Sequence, residues 1–308
     1  MAEKSSEFSF PPFSSLPLDP SGPPGNAWGR FGPDDQLGML NLLTPAVVAR
    51  AAEEIKTGIR VSLDWPLTKP KYPSHGRPPF KHEIVNRARG PELRVVNDDV
   101  LTFNTQASTQ WDGFRHFDWA EAGGIVGRGV LIDYASWAIE KTIELKPFQA
   151  FQIPFAHIQD LVKERGITFR PGDILFIRTG FTEAHAALTD DEQKALTERS
   201  SPDFSGIESS EATLRFLWEN QFAAVAGDAP AFERSPPVGP DTDHRFVLHE
   251  WLLGGWGMPI GEMFDLEKLS RTCRELGRYS FFLSSMPLRV GDLYEASFCA
   301  LPWLETDC

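Results

Sequence analysis

The chain is short of cysteine, with three in 308 residues: Cys273, Cys299 and Cys308. The number is odd and no two are spaced as Cys-x-x-Cys. That argues against a disulfide framework and a cysteine-rich zinc site, and it fits a reducing compartment. Cys299 lies in an apolar run and reads as a small core residue. Long apolar runs are also missing, and no stretch would span a bilayer. The N-terminus has Glu3 and Lys4 before a Ser/Pro-rich run, without the apolar core of a signal peptide. A cytoplasmic protein is the expectation. Basic charge is scarce too: 30 Lys and Arg against 43 Asp and Glu give a net charge of −13. Such a surface disfavours nucleic acid and anionic membrane as partners. No nucleotide cofactor is expected.

Hydrophobic residues make up 41% of the chain, ample for a core. The length would allow two domains, but one α/β domain of this size is common. Residues 1–26 are rich in Pro, Ser and Gly and read as an extended or flexible arm. Residues 27–308 read as the domain. Thr44 and Pro45 start a helix through Lys56, with Gly58 as its stop. Ile59–Trp65 reads as a strand. Lys69–Gly90, with four prolines and His75 and His82, reads as a long loop, either plain surface or a lid. Buried strands are expected at Val130–Ile132, Ile174–Arg178 and Phe222–Ala226. Helices are expected at Phe155–Arg165, Thr182–Arg199, Ser209–Asn220 and Arg245–Leu253. A short strand is expected at Met258–Gly261, and two more at Tyr279–Pro287 and Glu295–Leu301. The alternation of strands and helices without repeats favours an α/β or α+β domain.

The richest stretch is Gln106-Ala-Ser-Thr-Gln110-Trp-Asp112-Gly-Phe-Arg-His116. Gln106, Gln110, Asp112 and His116 share one parity. In an extended segment they would point to one side, offering amides, a carboxylate and an imidazole to one cavity. Alternating polar residues equally mark a solvated strand face. The aromatic company of Phe103, Trp111, Phe114, Phe117 and Trp119 weighs against that, since each exposed ring forfeits roughly 1.5–3 kcal/mol of burial. Trp111, Phe114 and Trp119 could wall an aryl substrate or simply pack the core. Further on, His249 and Glu262 are both of metal-ligand type. Taken alone, either is more often structural.

The Gln106–His116 segment resembles a variant of the signature of the cyclase family that includes bacterial kynurenine formamidase and isatin hydrolase, His-x-Gly-Thr-His-x-Asp-x-Pro-x-His. Thr109, Asp112 and His116 match it. Gln106 and Gln110 stand at its first two His, Ser108 at the Gly and Phe114 at the Pro. The Gln-containing form resembles the fungal branch. Phe31–Pro45, Gly127–Asp133, Arg170–Gly180, Gly227–Pro230 and His249–Glu262 extend the likeness along the chain. The resemblance implies the swivelling β/β/α fold in a single domain, and a homodimer or homotetramer.

It also implies a metal site completed by His249 and Glu262, with Asp228 orienting a ligand or capping a turn. Gln offers a weaker ligand than His, so a binuclear zinc site is not expected. Asp112, His249 and Glu262, with an oxygen from Gln106 or Gln110, would suit one Mn²⁺ or Zn²⁺. Loss of the metal is the competing expectation. With metal, the chemistry would be arylformamidase-like hydrolysis of an amide, lactam or ester of a small aromatic molecule. Activated water would attack, His116 would shuttle the proton, and Gln110 or Gln106 would bind the oxyanion. Without metal, Asp112 and His116 would serve a cyclase, dehydratase or isomerase of a specialised-metabolite pathway. A ligand-binding or assembly module without turnover is the third reading.

Overall fold

The computed structural model describes residues 10–87, 96–113, 116–240 and 242–286, and at 116–118 the backbone only. Phe114, Cys299, Cys308 and the strand expected at Glu295–Leu301 lie outside the described residues. In chain order, the first half holds α1 (Pro45–Ala51), β1 (Lys81–Asn86), β2 (Asn97–Thr102), β3 (Gln110–Asp112), α2 (His116–Glu121), β4 (Ile125–Ile132) and α3 (Tyr134–Glu140). Next come β5 (Gln152–Ile153), α4 (Phe155–Arg165), β6 (Ile174–Ile177), α5 (Phe181–Ala186), α6 (Asp190–Thr197), β7 (Gly206–Ile207) and α7 (Glu211–Glu219). The chain continues through β8 (Ala224–Gly227), β9 (Ile260–Glu262), α8 (Glu267–Leu276) and β10 (Ser280–Ser285).

Among the described residues the main sheet has six strands in the order β10-β4-β6-β8-β9-β3. Its middle, β4-β6-β8-β9, is parallel, and β10 and β3 flank it as antiparallel strands. Parallel strands covered on both faces read as unbroken apolar runs. Ile174-Leu-Phe-Ile177 is such a run and is fully buried. Its alternation feeds both sides of the sheet. Leu175 and Ile177 join a core with Tyr134, Leu214, Trp218 and Phe222. Ile174 and Phe176 join another with Trp111, Leu131, Phe264 and Leu269. The expected single α/β architecture is what the chain adopts.

Several local expectations need correction. The helix after Thr44 is capped as expected, the Thr44 side chain accepting from the Val47 N–H. It ends in a 3-10 turn at Glu54 rather than at Lys56. Ile59–Trp65 forms no strand; Asp64 alone bridges to Phe264. Val61 and Leu63 pack on the core without laddering their backbone. Part of the expected loop at 69–90 is β1, paired antiparallel with β2 into a hairpin. Thr182–Arg199 is two helices, because Thr189 and Glu192 form a capping box that restarts the chain. The helix expected at Arg245–Leu253 is a 3-10 turn, His244–Phe246, followed by a π-helical turn, Glu250–Gly255. From Phe10 onward the Pro/Ser-rich arm is docked. Phe13 is buried against Trp251, and the Trp218 indole donates to the Pro11 carbonyl. No helix among the described residues is long and apolar enough to cross a membrane.

Candidate metal centre

The candidate centre forms where edge strand β3 meets β9. Their antiparallel register sets Gln110 opposite Glu262 and Asp112 opposite Ile260. Directly opposed residues share a face, so Gln110 Nε2 donates to Glu262 Oε2 at 2.9 Å. Asp112 lies two residues on and faces the same way. The parity argument therefore holds for Gln110 and Asp112, but the extended stretch is only three residues long. Gln106 comes from a preceding turn, where its N–H bonds the Asn104 side chain. It still reaches the site: its Nε2 donates to Asp112 Oδ1 at 2.6 Å.

His249 enters from the start of the π-helical turn. Its backbone N–H donates to Glu233 Oε1 at 3.0 Å, and its Nδ1 meets Glu233 Oε2 at 2.6 Å. With Nδ1 carrying the proton to Glu233, Nε2 is left facing Glu262 Oε1 at 3.2 Å. One ligand atom each from Asp112, His249 and Glu262 lie within 4.8 Å of one another.

The electrostatics are unbalanced. Burial, then the Asp112 charge, pushes Glu262 up to about 7, against the pull of His249. Burial would lower the His249 imidazole, but Glu233 and Glu262 overcome it and hold it well above its usual value. Burial would raise Glu233, yet His249 keeps it below the ordinary carboxylate range. Three buried carboxyls thus share one imidazole. Gln110 Oε1 is fully buried and has no hydrogen-bond partner. An orphaned oxygen beside crowded carboxylates is what a hard or borderline cation would satisfy. The donor set fits one divalent metal.

The two glutamines divide. Arg77 donates to the Gln106 carbonyl at 2.6 Å and reaches its Oε1 at 3.4 Å. The Gln106 amide oxygen is therefore occupied and its NH₂ faces Asp112, which corrects its expected place as a ligand. Gln110 keeps its oxygen free. Trp111 is also corrected as an aryl wall. Alternation turns it to the opposite face of β3, where it packs edge-on against Phe176 and Phe264. Trp119 is buried but lies close by. A Cβ on Gly113, next to Asp112, would fall 1.8 Å from its ring. The same ring lines a cleft of about 470 Å³ with Trp28, Phe31 and Trp256. His116 starts α2, and its side chain, like Phe114, lies outside the described residues. Asp228 caps a turn and orients no ligand. It is fully buried and accepts from the N–H groups of Thr179, Gly180 and Phe181 and from the Thr179 hydroxyl.

Sequence reasoning missed Glu233 and Arg77. Glu233 had one faint signal, an acid directly after the apolar run Ala229-Pro-Ala-Phe232. Arg77 follows Ser74-His-Gly, a turn signal inside the Pro-rich loop.

The family model described as "Putative cyclase" matches residues 35–234, and the chain belongs to that family. The match includes Asp112 and Glu233 and stops before His249 and Glu262. A solved structure described as a novel cyclase is 30% identical, covering 86% of this chain and 95% of its own, with a TM-score of 0.71. Isatin hydrolase A from Labrenzia aggregata, solved with benzyl benzoate, is 16% identical over 79% of this chain and 93% of its own, TM-score 0.55. Isatin hydrolase A from Ralstonia solanacearum is 15% identical over 80% and 93%, TM-score 0.51. At those identities the hydrolases share the fold. No curated protein matches the chain.

Proposed function

We propose that this cyclase-family protein is a metal-dependent hydrolase of an amide, lactam or ester on a small aromatic molecule. The observation that carries the reading is the convergence of Asp112, His249 and Glu262 beside the orphaned Gln110 oxygen. A divalent cation held there by those three side chains and Gln110 Oε1 supplies Lewis acidity toward a carbonyl oxygen and toward water. Glu233 fixes the His249 tautomer, so that Nε2 is the nitrogen presented to the site. Gln106 steers Asp112 by holding Oδ1. Without a cation Glu262 sits at about 7, and taking one would release its proton. His116, four residues beyond Asp112 in sequence, is assigned the proton shuttle to the leaving group. Trp119 is assigned the aromatic wall beside Gly113. The benzyl benzoate bound by the Labrenzia aggregata isatin hydrolase A supports an aromatic substrate, and the family supports an enzyme.

The test is metal content of untagged protein, purified without chelators, by plasma mass spectrometry, with Asp112→Ala alongside. About one Mn or Zn per chain, absent from the variant, is the expected result. Absence of metal from both proteins after reconstitution would sink the reading and turn the search to metal-free cyclisation or isomerisation.

A further inference from the structure

Arg77 is a guanidinium that the hydrolysis outlined above does not use. It ends a turn in the Pro-rich loop. Its N–H donates to the Ser74 carbonyl at 3.2 Å. The two residues between, His75 and Gly76, have φ of 60° and 67°. Positive φ at both central positions is the type I′ pattern. Glycine adopts it freely, whereas a histidine does so at a cost. Such strain persists only where surrounding contacts impose it, and it gathers at functional sites. Here the near side of the turn is tied down by Lys71 and Tyr72, which bond Asp190 at 2.6 and 2.7 Å. The far side delivers Arg77 to Gln106.

Gln106 passes the contact on to Asp112. The guanidinium therefore stands one side chain from Asp112 without an ion pair to it. Burial lowers its pKa, while Glu262 and Asp112 pull the other way. A guanidinium carries five N–H donors. Nη1 and Nη2 each spend one on Gln106. The Nε–H and the second N–H of Nη2 have no partner among the described residues. Those two lie parallel on one edge of the fork, the edge that grips a carboxylate with two bonds.

We infer that Arg77 binds a carboxylate on the substrate, so that the site takes aryl acids in preference to neutral aryl compounds. The inference rests on the reading of the Asp112, His249 and Glu262 centre as the place where substrate reacts. Asp112 and Glu262 would repel an incoming anion, and a guanidinium beside them offsets that repulsion. A neutral aryl amide would need no such group. Arg77 grips the end of the molecule that does not react and is a specificity residue.

The test is titration calorimetry of the full chain with benzoate and with its neutral isostere benzamide, each with and without Mn²⁺. Benzoate should bind at least about tenfold more tightly. Arg77→Gln should erase the difference while bound manganese stays at the wild-type level, and Arg77→Lys should restore part of it. Equal affinity of the wild type for the two probes would overturn the inference. So would discrimination that survives Arg77→Gln, or loss of manganese in that variant, which would make Arg77 a prop of the centre. A protein that takes no metal yet discriminates through Arg77 sinks the hydrolytic reading alone and leaves this one standing.

Discussion

Arg178 and Asp133 close the ends of β6 and β4, while Glu262 closes β9, in the same parallel sheet. All three are buried. Around Arg178 the hydrogen bonds are complete. It donates to Asp133 at 2.9 Å, to Glu183 at 2.7 Å, and to both oxygens of Glu267 at 2.8 and 2.7 Å. Asp133 also takes the Ser270 hydroxyl at 2.5 Å. Burial would raise the Asp133 carboxyl, but Arg178 and the serines hold it below its usual value. Around Glu262 the donors run short. Asp112 and Glu233 add negative charge, His249 is shared, and Glu262 is pushed up to about 7. Both clusters are polar and buried, yet one is satisfied by the chain and the other is not. Burial of charge therefore does not mark a functional site by itself. A buried carboxyl pushed well above its ordinary range, with an orphaned oxygen beside it, does.

The sharpest way to break that comparison is to remove one charge from each cluster. Arg178→Ala leaves Asp133 and Glu267 without their cation and should cost about 3–5 kcal/mol of unfolding free energy. Glu262→Gln relieves repulsion from Asp112 and keeps an acceptor for Gln110, so metal-free protein should change by less than about 1 kcal/mol. Urea unfolding of both variants after chelator treatment decides it. Losses of similar size would mean that the Glu262 cluster is structural as well.

A smaller effect tests the imidazole. Glu233 touches no candidate ligand except His249, holding it by backbone and by Nδ1. Glu233→Gln should keep the fold and weaken metal binding about 10–100-fold, read by competition with a coloured chelator. Unchanged affinity would show that the π-helical turn alone aims His249.

How much of this was legible follows from the range of each interaction. The buried strands β4, β6 and β8 were readable because an unbroken apolar run is a local signal. The Thr44 cap was local too. Gln110 and Asp112 were readable through alternation, which needs only three residues of strand. Trp111 obeyed the same alternation, and applying it fully would have turned its ring to the core. Gln106 escaped because a turn, not a strand, places it. Glu233 and Arg77 escaped because their partners lie 16 and 29 residues away in sequence. Family resemblance supplied His249 and Glu262, which no local pattern singles out.

A third buried polar group extends the comparison, for it has no charge balance at all. His185 is buried beside Trp65 and Phe181, with ring centroids 5.2 and 5.8 Å away. Its Nδ1 is buried without a hydrogen-bond partner. Burial, helped by the Lys69 charge, lowers its pKa to about 4. An unfolded histidine titrates near 6.5, so between those values the unfolded chain binds the extra proton. Stability from this group is then complete above about pH 6.5 and is lost as pH falls toward 4. The expected effect is a change of slope, smaller than the losses above. His185→Phe should flatten the fall of unfolding free energy between pH 6.5 and 4 relative to wild type, measured by urea denaturation at half-unit steps. Parallel curves for the two proteins would show that the imidazole finds a partner for its proton after all, which would place His185 with the satisfied Arg178 cluster.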